Sequence, residues 1–232
     1  MDAHALDVLE FPAILERLAG LTETGPGEAL ARGLEPSPDP DEVARRQALT
    51  AEAVALHEAS AEPELAGASD VREAAGRAAL GGMLQPGDLH AIAVSVAVAL
   101  EARRSLGEAE QDVPLSRELL EQLDPALAQL ADRIRRCVAE DGSDLRDSAS
   151  PKLRRLRAEI RTGRQRALDE LQRIARSSAL RDLLQETFVT ERAGRPVLAV
   201  KAEARGKVPG IVHDASGSGQ TLFVEPFAIV EA

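Results

Sequence analysis

Apolar positions along this chain recur mostly at helical intervals, and only one stretch alternates as a strand does. Leu6, Leu9, Ile14, Leu15 and Leu18 fall at steps that predict two or three short helices over residues 4–33. Thr24 ahead of Gly25-Pro26-Gly27-Glu28 marks a helix start, and Gly33 marks a stop. Asp39 followed by Pro40 predicts a capped helix running to about Ala59, with Val43, Leu49, Val54 and Leu56 as its apolar stripe. Shorter helices are predicted at 70–79, 115–123 and 125–139, and a longer one at 86–106. Residues 91–100 are apolar nearly all round, so that longer helix is expected to be the most buried.

Ser150-Pro151 is a further start signal, and the helix it opens runs through Arg176 at least. Leu153, Leu156, Ile160, Ala167, Leu171 and Ile174 give a narrow seam of coiled-coil type. At ~1.5 Å per residue the rod is roughly 40 Å long. A narrow seam predicts a projecting helix that pairs with one partner helix and holds the next segment at its far end. Gly163 within it predicts a bend or a tight crossing, because glycine costs about 1 kcal/mol relative to alanine there.

The block 186–232 changes period. Val197, Ala199 and Lys201 alternate with Leu198, Val200 and Ala202, and Leu222 and Val224 alternate with Thr221, Phe223 and Glu225. Ala193-Gly194, Arg205-Gly206, Pro209-Gly210 and Gly217-Ser218-Gly219 punctuate these runs as turns. The fold expected is mainly α: a helical bundle over 1–149, then a long helix and a small antiparallel β meander over 150–232. Pro226 signals a further helix just before the last residue, which leads us to expect a longer natural protein.

Composition narrows the chemistry. Aromatic residues make up only 2% of the chain, with no Trp or Tyr, so platforms for stacking single-stranded bases are excluded and the core must be Ala, Leu and Val. The lone Cys137 rules out an intrachain disulfide and a multi-cysteine zinc site. His4, His57, His90 and His213 lack metal-ligand spacing. The acidic N-terminus has no signal-peptide pattern, and the longest apolar run is half a membrane span, so a soluble cytoplasmic protein with no membrane partner is expected. Net charge is −11, which alone argues against nonspecific nucleic-acid binding. Its distribution says otherwise: nine Lys and Arg against three Asp and Glu give 151–176 a charge of +6 on an otherwise acidic chain.

The string Ile211-Val212-His213-Asp214, Ser216, Ser218-Gly219, Thr221-Leu222-Phe223 and Glu225-Pro226 resembles the IVHDxSxSGxTLFxEP segment of the type-two branch of the MutS family. Val200-Lys201-Ala202-Glu203, Arg205-Gly206-Lys207-Val208 and Gly210 extend the likeness, as do Ser150-Pro151-Lys152-Leu153-Arg154-Arg155 and Leu9-Glu10-Phe11. Pro196, Gly163, Gly217 and Gln220 depart from the family's more usual residues. The resemblance implies a lever core, an outgoing arm and a clamp, in a homodimeric protein whose ATPase and nuclease domains lie elsewhere. ATP and magnesium are then expected outside this chain, with no cofactor inside it. The family is associated with suppression of recombination through nuclease action on DNA, and with splitting of collided ribosomes.

Each candidate site has a plainer reading beside it. Ser216-Gly217-Ser218-Gly219 has glycines but no following Lys-Ser/Thr, so it reads as a turn rather than a phosphate loop. His213, Asp214 and Ser216 or Ser218 are the residue types of a hydrolase triad, but they stand too close in sequence to align. We read His213, Asp214, Ser216 and Gly219 as turn-forming, and expect no catalysis from this chain itself. The basic set is Lys152, Arg154, Arg155, Arg157, Arg161, Arg164 and Arg166 on the long helix, with Lys201, Arg205 and Lys207 at the tip of the clamp. It is either a solvated face or a contact for the phosphate backbone of DNA or ribosomal RNA, made without base readout. A helical adaptor forming a coiled coil with a protein partner is the competing function.

Overall fold

The computed structural model describes residues 3–230. The chain divides into two compact units, Met1–Ala149 and Ser150–Ala232.

The first unit is helical: α1 (Ala3–Val8), α2 (Phe11–Ala19), α3 (Gly25–Arg32), α4 (Pro40–Glu58), α5 (Arg72–Ala79), α6 (Pro86–Glu108), α7 (Pro114–Glu121) and α8 (Ala126–Cys137). The start signals are local chemistry and act where they stand. The Thr24 side chain accepts from Gly27 N at 3.1 Å, and Asp39 Oδ1 accepts from Asp41 N at 2.9 Å. In α6 the Asp88 carboxylate reaches back to Gln85 N at 3.0 Å, closing a capping box.

Packing uses small residues and several small clusters. Ala93 of α6 packs with Ala131, Ile134 and Val138 at α8, while Leu106 packs with Leu56 of α4 and Val113. Helix α6 therefore runs through both. Its apolar middle is less enclosed than its sequence predicts: within 91–100 only Ala93 is fully buried and the rest are half-buried. The neighbours are the reason, since α7 has 8 residues and α8 has 12, too few to sheathe a helix of 23.

Among the described residues of this unit, one charge is buried. Glu52 of α4 accepts from Leu115 N at 3.0 Å and from Ser116 N and Oγ at 2.7 Å, satisfying amides at the start of α7. Burial alone would raise its pKa. The Ser116 hydroxyl, the two amides and the charge of Arg117 outweigh that, and the carboxyl lies below the usual glutamate range. A depressed folded pKa gives stability that is present above the unfolded value of about 4.3 and lost as pH falls through the folded one. Glu52→Ala is expected to lower stability by about 1–3 kcal/mol at neutral pH. The gap to the parent chain should narrow in urea melts run below pH 4.

The second unit opens with α9 (Pro151–Ala175), capped by the Ser150 side chain, which accepts from Leu153 N at 3.0 Å. It continues through α10 (Ser178–Arg181), β1 (Leu184–Arg192), β2 (Arg195–Lys201), a 3-10 segment (Ala202–Lys207), β3 (Gly210–Ala215), β4 (Thr221–Pro226) and α11 (Phe227–Val230). The mainly α reading with a small antiparallel sheet holds. Its strands run β1-β2-β4-β3, two hairpins joined along β2 and β4, because the 3-10 segment carries the chain from β2 to the outer edge before β4 returns. Ala193 and Gly194 close the first hairpin, both with positive φ (50° and 76°), as a tight two-residue turn requires.

Two expectations about α9 are corrected. The sheet does not stand beyond the end of the helix but folds back over its C-terminal half. Leu171 and Ala175 are buried against Leu184, Leu198, Val200 and Val224, so half of the seam is already covered by this unit's own strands. In the other half Leu153 is half-buried, while Leu156 is 40% and Ile160 69% exposed. Gly163 marks no tight crossing, since a Cβ there would meet nothing within 4 Å, and α9 runs unbroken through it.

Candidate nucleic-acid interface

Helix α9 carries most of the basic residues singled out above. Lys152, Arg154, Arg155, Arg161, Arg164 and Arg166 are exposed, and Arg157 is half-buried. At 3.6 residues per turn, Arg155 and Arg166 stand opposite Leu171, Arg154 and Arg161 lie on one flank, and Arg164 falls on the apolar side. The positive charge thus surrounds the helix rather than forming one stripe. Arg155 pairs with Glu159 at 3.5 Å and Arg164 with Glu191 at 2.8 Å. Among the described residues, Lys152, Arg154 and Arg166 form no ion pair.

Lys201, Arg205 and Lys207 do not join this group. The Lys201 amide donates to Leu183 O and its ammonium to Asp182 O, both at 2.9 Å, which sets it beside the end of α10. Arg205 and Lys207 follow, exposed, on the 3-10 segment. Arg154 itself stands about 30 Å along α9 from the helix's last residue, Ala175.

Of the four residues read as turn-forming, Ser216 and Gly219 close the β3–β4 turn, whereas His213 and Asp214 lie within strand β3. Ser216 exchanges backbone and side-chain bonds with Thr221, its Oγ accepting from Thr221 N at 3.0 Å. Gly219, with φ of 70°, donates to Ser216 O at 2.7 Å. Asp214 Oδ1 accepts from Ala215 N at 2.8 Å, and Asp214 Oδ2 lies 3.6 Å from Arg192 Nε. His213 is the extra residue of a β-bulge, since Val212 pairs with Val224 and Asp214 with Phe223. A bulge re-aims its side chain. His213 Nε2 lies 2.6 Å from Glu225 Oε2, so it engages a buried glutamate rather than either serine.

No family model matches the chain. Among curated proteins it is 42% identical over 231 residues to Endonuclease MutS2 of Symbiobacterium thermophilum, covering 100% of this chain and 29% of that protein. It is 35% identical over 240 residues to Endonuclease MutS2 of Acetivibrio thermocellus, and 37% over 231 residues to that of Bacillus cereus. The chain belongs to the MutS2 family. It spans about 29% of the length of these MutS2 relatives.

Within this MutS2 chain the charge is divided by unit. Ser150–Ala232 has fifteen Lys and Arg against ten Asp and Glu, whereas Met1–Ala149 has thirteen against twenty-nine. No described helix is long and apolar enough to cross a membrane. The sequence reading missed the polar set that ties the sheet together: Glu225 is 4% exposed, and Arg195 Nη1 donates to its Oε1 at 3.3 Å. Arg192 lies over the Phe223 ring at 4.0 Å. A carboxylate between Val224 and Pro226 in an apolar strand was the available signal for Glu225. Nothing in one sequence points to its partners from β2 and β3.

Proposed function

We propose that this region of a MutS2 protein engages a nucleic-acid backbone through α9, as a lever and clamp without chemistry of its own. The observation that carries the reading is the set Lys152, Arg154 and Arg166: exposed, without ion pairs among the described residues, on a helix in a net-positive unit. Exposed cations of this kind neutralise phosphates and release counterions. Among the described residues no cluster offers to read base edges, so binding led by charge and shape follows, to DNA or to ribosomal RNA. ATP-driven motion and nuclease action belong, on this reading, to other parts of a homodimeric MutS2 protein, whose target is recombining DNA or a collided ribosome.

The test is titration with duplex DNA and with structured RNA at two salt concentrations. The parent chain should weaken steeply with salt. The combined variant Lys152→Ala, Arg154→Ala and Arg166→Ala should bind at least about tenfold more weakly and lower the salt slope by about three. Alanine is at home on an exposed helix, so its melting should be unchanged within about 0.5 kcal/mol. Equal binding by parent and variant would sink the reading. The exposed Leu156 and Ile160 favour a second one, a partner helix seated on the open half of the seam. That association would be insensitive to salt and lost in Ile160→Asp.

A further inference from the structure

We propose that the cleft between α9 and the β1–β2 turn binds a phosphate group, held by Arg164 and Arg195. This rests on the reading above for its main phosphate source, a nucleic-acid backbone, and adds Arg195, which that reading does not contain. The cleft measures about 300 Å³ and is lined in part by Gly163, Arg164, Ala167, Gly194, Arg195 and Glu225.

Its walls are bare backbone at two places. A Cβ built on Gly163 or on Gly194 meets nothing within 4 Å. The Gly194 turn accounts for its glycine, with φ of 76°. Gly163 has no such account: it sits mid-helix, where glycine costs about 1 kcal/mol relative to alanine, beside space that the described chain leaves empty. A side chain at 163 would enter that space.

Both arginines reach the cleft on weak tethers. Arg164 and Glu191 are 58% and 55% exposed, and exposed pairs of this kind contribute little and exchange readily. Arg195 is 62% exposed and holds Glu225 only at 3.3 Å. Glu225 keeps a partner when Arg195 leaves, because His213 Nε2 lies closer, at 2.6 Å. Arg195 is therefore exchangeable onto an incoming anion without stranding a buried carboxylate. Two guanidinium groups flanking an open glycine wall can take phosphate oxygens through paired N–H donors, and Glu191 and Glu225 are the anions it must displace.

The experiment uses the full chain and two probes, inorganic phosphate and a duplex DNA, with Arg195→Ala and Gly163→Leu as variants. Gly163→Leu keeps every charge, raises helix propensity and plugs the cleft, so weaker binding by it is not an effect of unfolding or of lost charge. Phosphate should shift the Gly163 and Gly194 amide resonances saturably in the parent, and the Gly194 resonance in neither variant. Duplex affinity should fall several-fold in both variants, with the salt slope of Arg195→Ala reduced by about one. Phosphate shifts with parental duplex binding in both variants would keep the anion site and overturn its nucleic-acid source. Parent amides unmoved by either probe would overturn the site itself, even where the Lys152, Arg154 and Arg166 variant still loses DNA binding; the two readings thus fail separately.

Discussion

Leu171→Ala is expected to cost the Ser150–Ala232 unit about 3–4 kcal/mol. Leu171 is fully buried where α9 meets the sheet, touching a cluster that draws on β1, β2, β4 and α11. Truncation there loses the transfer energy of the side chain and leaves a cavity walled by strands that cannot collapse onto a helix backbone. Amide exchange is the suitable measurement, because it reads each unit separately. Protection at Leu198 and Val200 should fall by about two to three orders of magnitude while that of α6 is unchanged, each tenfold step being about 1.4 kcal/mol. Ile160→Ala, on the open half of the same seam, should change little. Equal effects at the two positions would contradict the seating of the sheet on the C-terminal half of α9.

Gly210→Ala is expected to be nearly as damaging, for a steric reason. A Cβ at this position would overlap Glu225 O and lie 2.7 Å from Val224 Cγ1. Neither neighbour can give way: the carbonyl belongs to the β4 ladder and Val224 is 2% exposed. Strand β3 must therefore move off β4, at about 3 kcal/mol or more. That displacement also parts His213 from Glu225. Thermal melting should drop well below that of Gly217→Ala, where an added Cβ meets nothing within 4 Å. Matching melting curves for the two variants would show that β3 and β4 do not approach this closely.

Legibility in the sequence followed the range of the interactions. Asp39-Pro40 and Ser150-Pro151 were readable because a cap is settled within three residues. Strand β2 was readable because residues 197–200 form a short apolar run, buried on both faces and bounded by turn signals. Strand β1 was not, since its segment from Gln185 to Phe188 is exposed and shows no apolar face. The cover over α9 was misread for a physical reason: periodicity says that Leu171 and Ile174 face something apolar, and reads the same whether that is a helix or a sheet. The string around His213 carried the family, but its joining of His213, Glu225 and Arg195 depends on a bulge and on a strand order that no local pattern encodes.

A beam propped along half its length bends where the prop ends. Helix α9 is propped by strands from about Arg164 onward, and Gly163, the residue least able to stiffen it, stands at that edge. A load applied near Arg154 would flex the part of α9 that these strands do not back about this fulcrum and leave the strand-backed part rigid.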